Sequence, residues 1–284
     1  AQLPPMRIAF KTTERGAAFV GAFFLWANFQ LAGAAVAQSP LNRVALAADV
    51  VILGEVHDNA AHHQVQAAAL DQIDPKAVIW EMISPEQAEA LGGVDLVDSA
   101  AVAAQLDWAA SGWPDFSLYA PVFSASDGAA HYGAHVPRAA AGAAMQTGAA
   151  AAFGDGAARF GLDQPLSADA QAAREADQLA SHCDALPEEM LPLFVDVQRL
   201  RDTVLARAVT EALADTGGPV AVITGNGHAR KDRGIPVYLA YDNPDLTVFV
   251  LGQSEGGLIE GGYDQVLDAD PVERPDPCEA FRKG

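Results

Sequence analysis

The sequence predicts an α/β fold: a mainly parallel sheet flanked by helices, with a helical insertion ahead of the fourth strand. Three observations carry this expectation. Short apolar, β-branched runs recur along the chain, each bounded by turn residues. Helical stretches separate most of them, and strand–helix alternation argues for parallel pairing. Between 138 and 215 the strands stop and an Ala/Gly-rich stretch leads into long helical segments. Half of the 284 residues are hydrophobic and 19% are charged, the composition of a folded rather than a disordered chain.

The first 37 residues read as a signal peptide. Arg7, Lys11 and Arg15 form a basic region, residues 17–33 an apolar one, and Ala35-Val36-Ala37 an A-x-A cleavage site. The apolar stretch is short for a membrane span, and no cysteine stands at the cleavage point to carry a lipid. The expected organisation is therefore a signal peptide over 1–37 and a single α/β domain over 38–284, exported to the periplasm, with no membrane span after cleavage. Strands are expected at 49–54, 77–81, 131–136, 219–224 and 246–251, with a short one at 262–267. Helices are expected at 60–73, capped by Asp58 or Asn59, and at 85–91, 99–110, 116–128, 138–151, 167–182 and 187–214. The insertion spans about 138–215; its Ala-rich start reads either as packed helix or as a lid.

Net charge is −20, which argues against a nucleic-acid partner because neutralising phosphates needs a basic face. The two cysteines, Cys183 and Cys278, can pair in an oxidising compartment. Neither lies in a Cys-x-x-Cys, which excludes a zinc ribbon and covalent c-type haem.

Ligands of open parallel sheets sit outside the carboxyl ends of the strands, so the strand ends carry the functional reading. The first ends in Gly54-Glu55-Val56-His57, the second in Glu81, the third near His135, and the fourth in Gly225-Asn226-Gly227-His228. Carboxylates and imidazoles gathered there suit transition metals, acid–base work and axial haem ligation. No His-Glu-x-x-His or Gly-x-Ser-x-Gly is present, and no Gly-x-Gly-x-x-Gly follows the first strand, which weighs against a zincin, an α/β-hydrolase and a dinucleotide site. Glu81 also suits a helix cap or a pair with arginine. Of the other histidines, at least one of His62 and His63 is expected on the surface of the 60–73 helix, His131 is expected to be solvated, and His182 to be structural. Arg230, Lys231 and Arg233 form a basic cluster that suits a carboxylate or propionate, or an ordinary solvated turn. Gln198 and Asp202 lie one helical turn apart beside Arg201 and are expected to hold the histidines from behind.

Taken in order, these residues resemble a known family. Gly54-Glu55-x-His57 with Asp58 and His63, Glu81, Leu106-Asp107-Trp108 through Trp113, Tyr119-Ala120-Pro121, Gln198-x-x-Arg201-Asp202 and GNGHARKDRGIPVYL (225–239) are similar to the ChaN-like haem-binding uptake proteins. These lie in a wider group with Tiki/TraB proteins and erythromycin esterases. The likeness covers most of 48–252 and implies an EreA/ChaN-like fold. His135 stands where asparagine is expected, Leu205 where methionine is expected, and the family's lipoprotein cysteine is missing. The resemblance implies an exported protein of iron or haem uptake, with haem as cofactor in a crevice at the strand ends and a homodimer on haem binding. It implies His57, His228, Tyr119, Arg230 and His135 as ligand-binding residues, with Tyr132 as the second candidate for a tyrosine iron ligand. Trp80, Trp108, Trp113 and Phe116 are candidates for an apolar groove. The alternative is a metal-dependent hydrolase, an esterase or protease. There Glu55 or Glu81 acts as general base, and His57, His228 and Glu81 hold zinc or manganese.

Overall fold

Uncharged aliphatic runs can only be strands if both of their faces are covered, and the fold covers both. The computed structural model describes residues 40–276 and 278–279; the expected signal peptide lies outside them. Six strands form one sheet: β1 (Val50–Glu55), β2 (Ala77–Trp80), β3 (Ala130–Gly133), β4 (Val220–Gly225), β5 (Val248–Glu255) and β6 (Gln265–Ala269). All pairings are parallel, in the order β3-β2-β4-β1-β5-β6. Every residue of β1, β2 and β4 is buried, which is why these strands read as continuous apolar runs rather than alternating ones.

Helices cover the two faces. On one lie α1 (Ala60–Ile73), α2 (Pro85–Ala90), α3 (Ser99–Gln105) and α4 (Phe116–Ala125), over Val51, Leu53, Val78, Trp80 and Ile223. On the other lie α5 (Arg138–Thr147), α6 (Ala149–Phe153), α8 (Leu191–Thr216) and α10 (Ile235–Asp242), over Val50, Ile52, Ile79 and Val222. Each fully buried aliphatic side chain in these layers contributes roughly 1.5–3 kcal/mol. The remaining helices are α7 (Ala168–Ser181), which packs on α8, and the short α9 (Asn226–Ala229) directly after β4. Local chemistry sets the helix ends. Asn59 caps α1 by accepting from the Ala61 N–H, and Ser84 and Gln87 form a reciprocal capping box with Pro85 in the first turn of α2. Gly217, at φ 76°, closes α8 in the left-handed region.

Several boundaries differ from expectation. The predicted helix 138–151 breaks at Gly148, whose φ of 85° no helix accommodates, into α5 and α6. β3 stops at Gly133, two residues before His135, because α2 packs against it: a Cβ on Gly133 would fall 2.0 Å from the Ser84 carbonyl oxygen. β5 runs to Glu255, past the point where β1 leaves it, because β6 pairs with Leu251–Glu255. α9 and α10 lie where no helix was expected.

Two ties fasten the C-terminal segment. Arg274 pairs with Asp58 at 2.5 Å and with Glu255 at 2.7 Å. Cys278 is joined to Cys183, just after α7, by a disulfide with Cα atoms 5.5 Å apart. Among the described residues no helix is long and apolar enough to cross a membrane.

Candidate functional site

β4 lies between β1 and β2, with Val220 level with Val50 on one side and Ala77 on the other. This order brings the two Gly-x-x-His turns side by side, with Glu81 beside them. Each motif's glycine makes room for the other motif. A Cβ on Gly54 would meet Asn226 Oδ1 at 2.5 Å; a Cβ on Gly225 would meet His57 Nε2 at 3.0 Å. Neither glycine has positive φ, so the requirement is steric rather than conformational.

Both histidines are held from behind by a carboxylate. His57 Nδ1–H donates to Glu55 Oε1 at 2.7 Å, and the Tyr119 hydroxyl donates to the same oxygen at 2.9 Å. His228 Nδ1–H donates to Asp202 Oδ1 at 2.6 Å. Both rings therefore turn Nε2 forward, and both Nε2 atoms face Glu81 Oε1, at 3.9 Å from His57 and 3.5 Å from His228. Glu81 is itself fixed through its other oxygen, which accepts from the Thr224 hydroxyl at 2.7 Å and the Gly225 N–H at 2.8 Å.

The charges follow from this geometry. Burial opposes a charge on His57, but the hydrogen bond to Glu55 and the charges of Glu81, Glu55 and Asp58 outweigh it and raise its pKa to about 9. Burial likewise opposes ionisation of Glu81, and the two imidazoliums with the Gly225 and Thr224 donors outweigh it, holding the carboxyl at about 2. The pKa of His228 is raised by Glu81 and Asp202 against its own burial, and burial raises that of Asp202.

In front of these groups lies a cavity of about 280 Å³, bounded by His57, Glu81, His228, His135, Gln198 and Arg201, with Trp113 also on its wall. The Trp113 ring is 4.9 Å from that of His57. A larger groove of about 480 Å³ adjoins it and shares Ala134, His135 and Val136. That groove is mostly apolar; the chemistry lies in the smaller cavity.

The structure moves several predicted residues. Tyr119 is fully buried behind His57, its ring tilted against those of His63 and Trp108, and does not reach the cavity. The Tyr132 hydroxyl donates to Asp215 near the C-terminal end of α8, away from the site. Glu55 is 2% exposed and engaged by Tyr119 and His57, so of the two candidate bases Glu81 alone faces the cavity. Arg230 is paired with Asp177 and Asp232 and lines a separate cavity behind His228. Gln198 and Arg201 lie on the wall itself, leaving Asp202 as the group that holds a histidine from behind. Trp80 and Trp108 are core, and Phe116 packs against them; Trp113 alone of the four aromatics lines the cavity.

The remaining histidines are corrected too. His62 and His63 are both buried. His62 accepts from the Val56 N–H at 2.9 Å, and His63 Nε2–H donates to the His57 carbonyl at 2.9 Å, so together they pin the loop that carries His57. His131 is not solvated: it accepts from Trp80 Nε1 at 3.0 Å, and burial pushes its pKa down to about 4. Sequence reasoning missed Thr224 and Gln253. Gln253, on the unexpected extension of β5, donates to the Gly54 carbonyl at 2.7 Å, and its backbone N–H donates to Asn226 Oδ1 at 3.0 Å. Among the described residues no three His, Cys, Asp or Glu side chains are gathered closely enough to hold a metal ion as they stand.

Comparison with known proteins bears on family and fold. A family model described as haem-binding uptake, Tiki superfamily, ChaN matches residues 41–239. A solved structure of cofacial heme binding to ChaN of Campylobacter jejuni is similar at a TM-score of 0.60 and 19% identity, covering 75% of this chain and 84% of that one; it shares the α/β fold. The type III effector HopBA1 is similar at a TM-score of 0.45 and 14% identity over 80% of this chain and 90% of its own, too weak a likeness to bear on fold or function. No curated protein matches the chain.

Proposed function

The chain belongs to the ChaN-type haem-binding uptake family of the Tiki superfamily, and on that premise we propose that it is an exported haem-binding protein that holds its ligand at the C-terminal ends of β1, β2 and β4. One observation carries this reading. Two imidazoles, each held at Nδ1 by a buried carboxylate, present Nε2 to one cavity. A carboxylate behind an imidazole fixes its tautomer and makes it a stronger ligand.

The residues fit the group. Bound haem would supply an iron that imidazole nitrogen ligates. The cavity alone, about 280 Å³, is below the usual range for ligand sites, about 300–1,000 Å³, and with the adjoining groove of about 480 Å³ it falls within it. His57 and His228 would hold the iron, Trp113 and the apolar groove would face the macrocycle, and His135 stands between the two spaces. Because the pKa of His57 is raised to about 9, its Nε2 carries a proton at neutral pH in the free protein. Ligation there displaces that proton, so affinity rises with pH toward 9.

The Cys183–Cys278 disulfide supports export, since such bonds persist in oxidising compartments. A signal peptide over 1–37 and a homodimer on haem binding belong to the same proposal. The test is a hemin titration of protein lacking 1–37, followed by absorbance and by size-exclusion chromatography. A saturable, shifted Soret band is expected. His57→Ala and His228→Ala should each weaken it with non-additive effect, as members of one site do. Tyr119→Phe should act only weakly, through Glu55. Absence of saturable binding would overturn the proposal.

The convergence of both Nε2 atoms on Glu81 Oε1 favours a second reading, a metal-dependent hydrolase. His57 and His228 suit zinc or manganese, with Glu81 beside them as the acid–base group. Metal-dependent ester or peptide hydrolysis lost in Glu81→Gln, without hemin binding, would establish it.

A further inference from the structure

Arg174 is the one buried side chain of α7, and a buried side chain that is an arginine requires a partner. It is 9% exposed and lines the cavity of about 180 Å³ behind His228. Among the described residues it makes no hydrogen bond and no ion pair, whereas its charged neighbours in that cavity are matched. Asp177 is held by Arg230 at 3.3 Å and by Arg233. Both of these arginines also hold Asp232, at 2.8 Å and 3.2 Å. Asp202 is taken by His228 at 2.6 Å. Two arginines thus hold two aspartates and a histidine hydrogen-bonds the third; the charge of Arg174 also acts on Asp202, but no carboxylate takes up its guanidinium donors. In the same cavity the buried Gln198 Oε1 has no hydrogen-bond partner. Turning that amide over puts its N–H₂ there instead, a second donor beside the guanidinium.

His228 and Gln198 line both this cavity and the one in front of His57. We propose that the rear cavity is an anion subsite in which Arg174 binds a carboxylate of the ligand whose metal-facing part lies at His57 and His228. The ligand's identity as haem rests on the reading above; the unused donors of Arg174 do not. A planar, always-charged fork buried beside an amide is the arrangement that recognises carboxylate in preference to a neutral group. Arg230, the residue that sequence reasoning pointed to, has its donors occupied, so selectivity for the anion belongs to Arg174.

The experiment compares hemin with hemin dimethyl ester, whose carboxylates are blocked, on the wild type and Arg174→Gln. Succinate is the haem-independent probe, read by thermal shift. The wild type should bind the ester about 10- to 100-fold more weakly than hemin, the range of a charge-assisted hydrogen bond. Arg174→Gln should lose that preference while its affinity for the ester stays unchanged. Equal losses on hemin and ester, or none, overturn the subsite while leaving the haem reading intact. Without ligand, Arg174→Gln should melt close to the wild type, because the guanidinium it removes makes no hydrogen bond or ion pair among the described residues. A lower melting temperature, or failure to fold, means that Arg174 is a structural partner and overturns the subsite. If the wild type binds no hemin, the haem reading fails, and succinate decides the subsite. Saturable stabilisation that disappears in Arg174→Gln supports it; stabilisation independent of Arg174, or none, overturns it.

Discussion

Replacing Gly225 with alanine separates the fold from the site. The new methyl would lie 3.0 Å from His57 Nε2, 3.3 Å from its Cε1 and 3.8 Å from Glu81 Oε2. Packed heavy atoms prefer separations of about 3.5 Å or more, so roughly half an ångström must be found. The backbone is no obstacle: φ is −63° and ψ is 150°, open to any residue. Loss of glycine's freedom in the unfolded chain stabilises by about 0.4–1 kcal/mol, close to the cost of the tight contact, so stability should change by no more than about 1 kcal/mol. Binding should change more. The methyl covers the Nε2 face of His57, and the ring cannot swing aside because Glu55 holds its Nδ1 at 2.7 Å. Weakening one ligand bond by about 1.4 kcal/mol or more lowers affinity about 10-fold or more, so hemin affinity should fall at least about 10-fold. Gly142→Ala, in α5, is the control, since its Cβ would meet nothing within 4 Å and it lines neither cavity. The assay is Soret titration beside thermal unfolding. A folded Gly225→Ala protein with wild-type affinity would refute the assignment of His57 Nε2 as the ligating atom.

Three further expectations follow from the same structure. Asp202→Asn removes the charge behind His228 and should cost about 1.5–3 kcal/mol of stability while lowering the His228 pKa; an NMR titration showing that pKa unchanged would contradict the assigned pair. The pH dependence of the unliganded protein has two limbs. His57, raised to about 9, contributes stability that is full below its ordinary 6.5 and is lost as pH rises through 9. Glu81, depressed to about 2, contributes stability that is full above its ordinary 4.5 and is lost as pH falls toward 2. His131, lowered to about 4, loses stability as pH falls from 6.5 toward 4, so denaturation midpoints should be highest near 6.5, and a midpoint that climbs from pH 6.5 to 9 would reverse the sign argued for His57. Cys278→Ser opens a crosslink between residues separated by 95 positions. Chain entropy for a loop near that size is worth about 4.7 kcal/mol, of which about 2–4 is usually realised, and an unchanged urea midpoint would show that the bridge adds nothing.

The sheet was legible because strands buried on both faces leave an unmistakable record. Val50–Leu53 and Val220–Thr224 are runs that water would not tolerate on either side. Strand ends were less legible, since they depend on partners: Gln253 and Ser254 look like loop until β6 is known to pair with them. The Gly-x-x-His turns located His57 and His228, and the strand-end rule located Glu81. What stayed hidden was polar burial. His62 and His63 look like a solvated first turn because their partners, the Val56 N–H and the His57 carbonyl, are backbone atoms that leave no trace in sequence. Tyr119 carries the right chemistry for a ligand, but its direction is set by Glu55. Arg174 sits in a helix of alanines and polar side chains, and no periodicity marks an arginine as its one buried residue.

The position of β4 bears on the order in which the protein becomes functional. His57 and Glu81 leave the ribosome early, but the strands carrying them are not neighbours; a gap between β1 and β2 waits for residues 220–225, some 140 positions after β2 begins. Closing so long a span is slow compared with forming the local helices. A nascent chain therefore has one histidine turn and no second, and at the site we propose, any grip on the ligand arrives with the last central strand rather than by degrees. Ligand binding is then coupled to the whole cooperative unit, so a saturating ligand should raise the unfolding transition as a single step. A half-built protein neither captures a reactive cargo nor releases it at an uncontrolled moment.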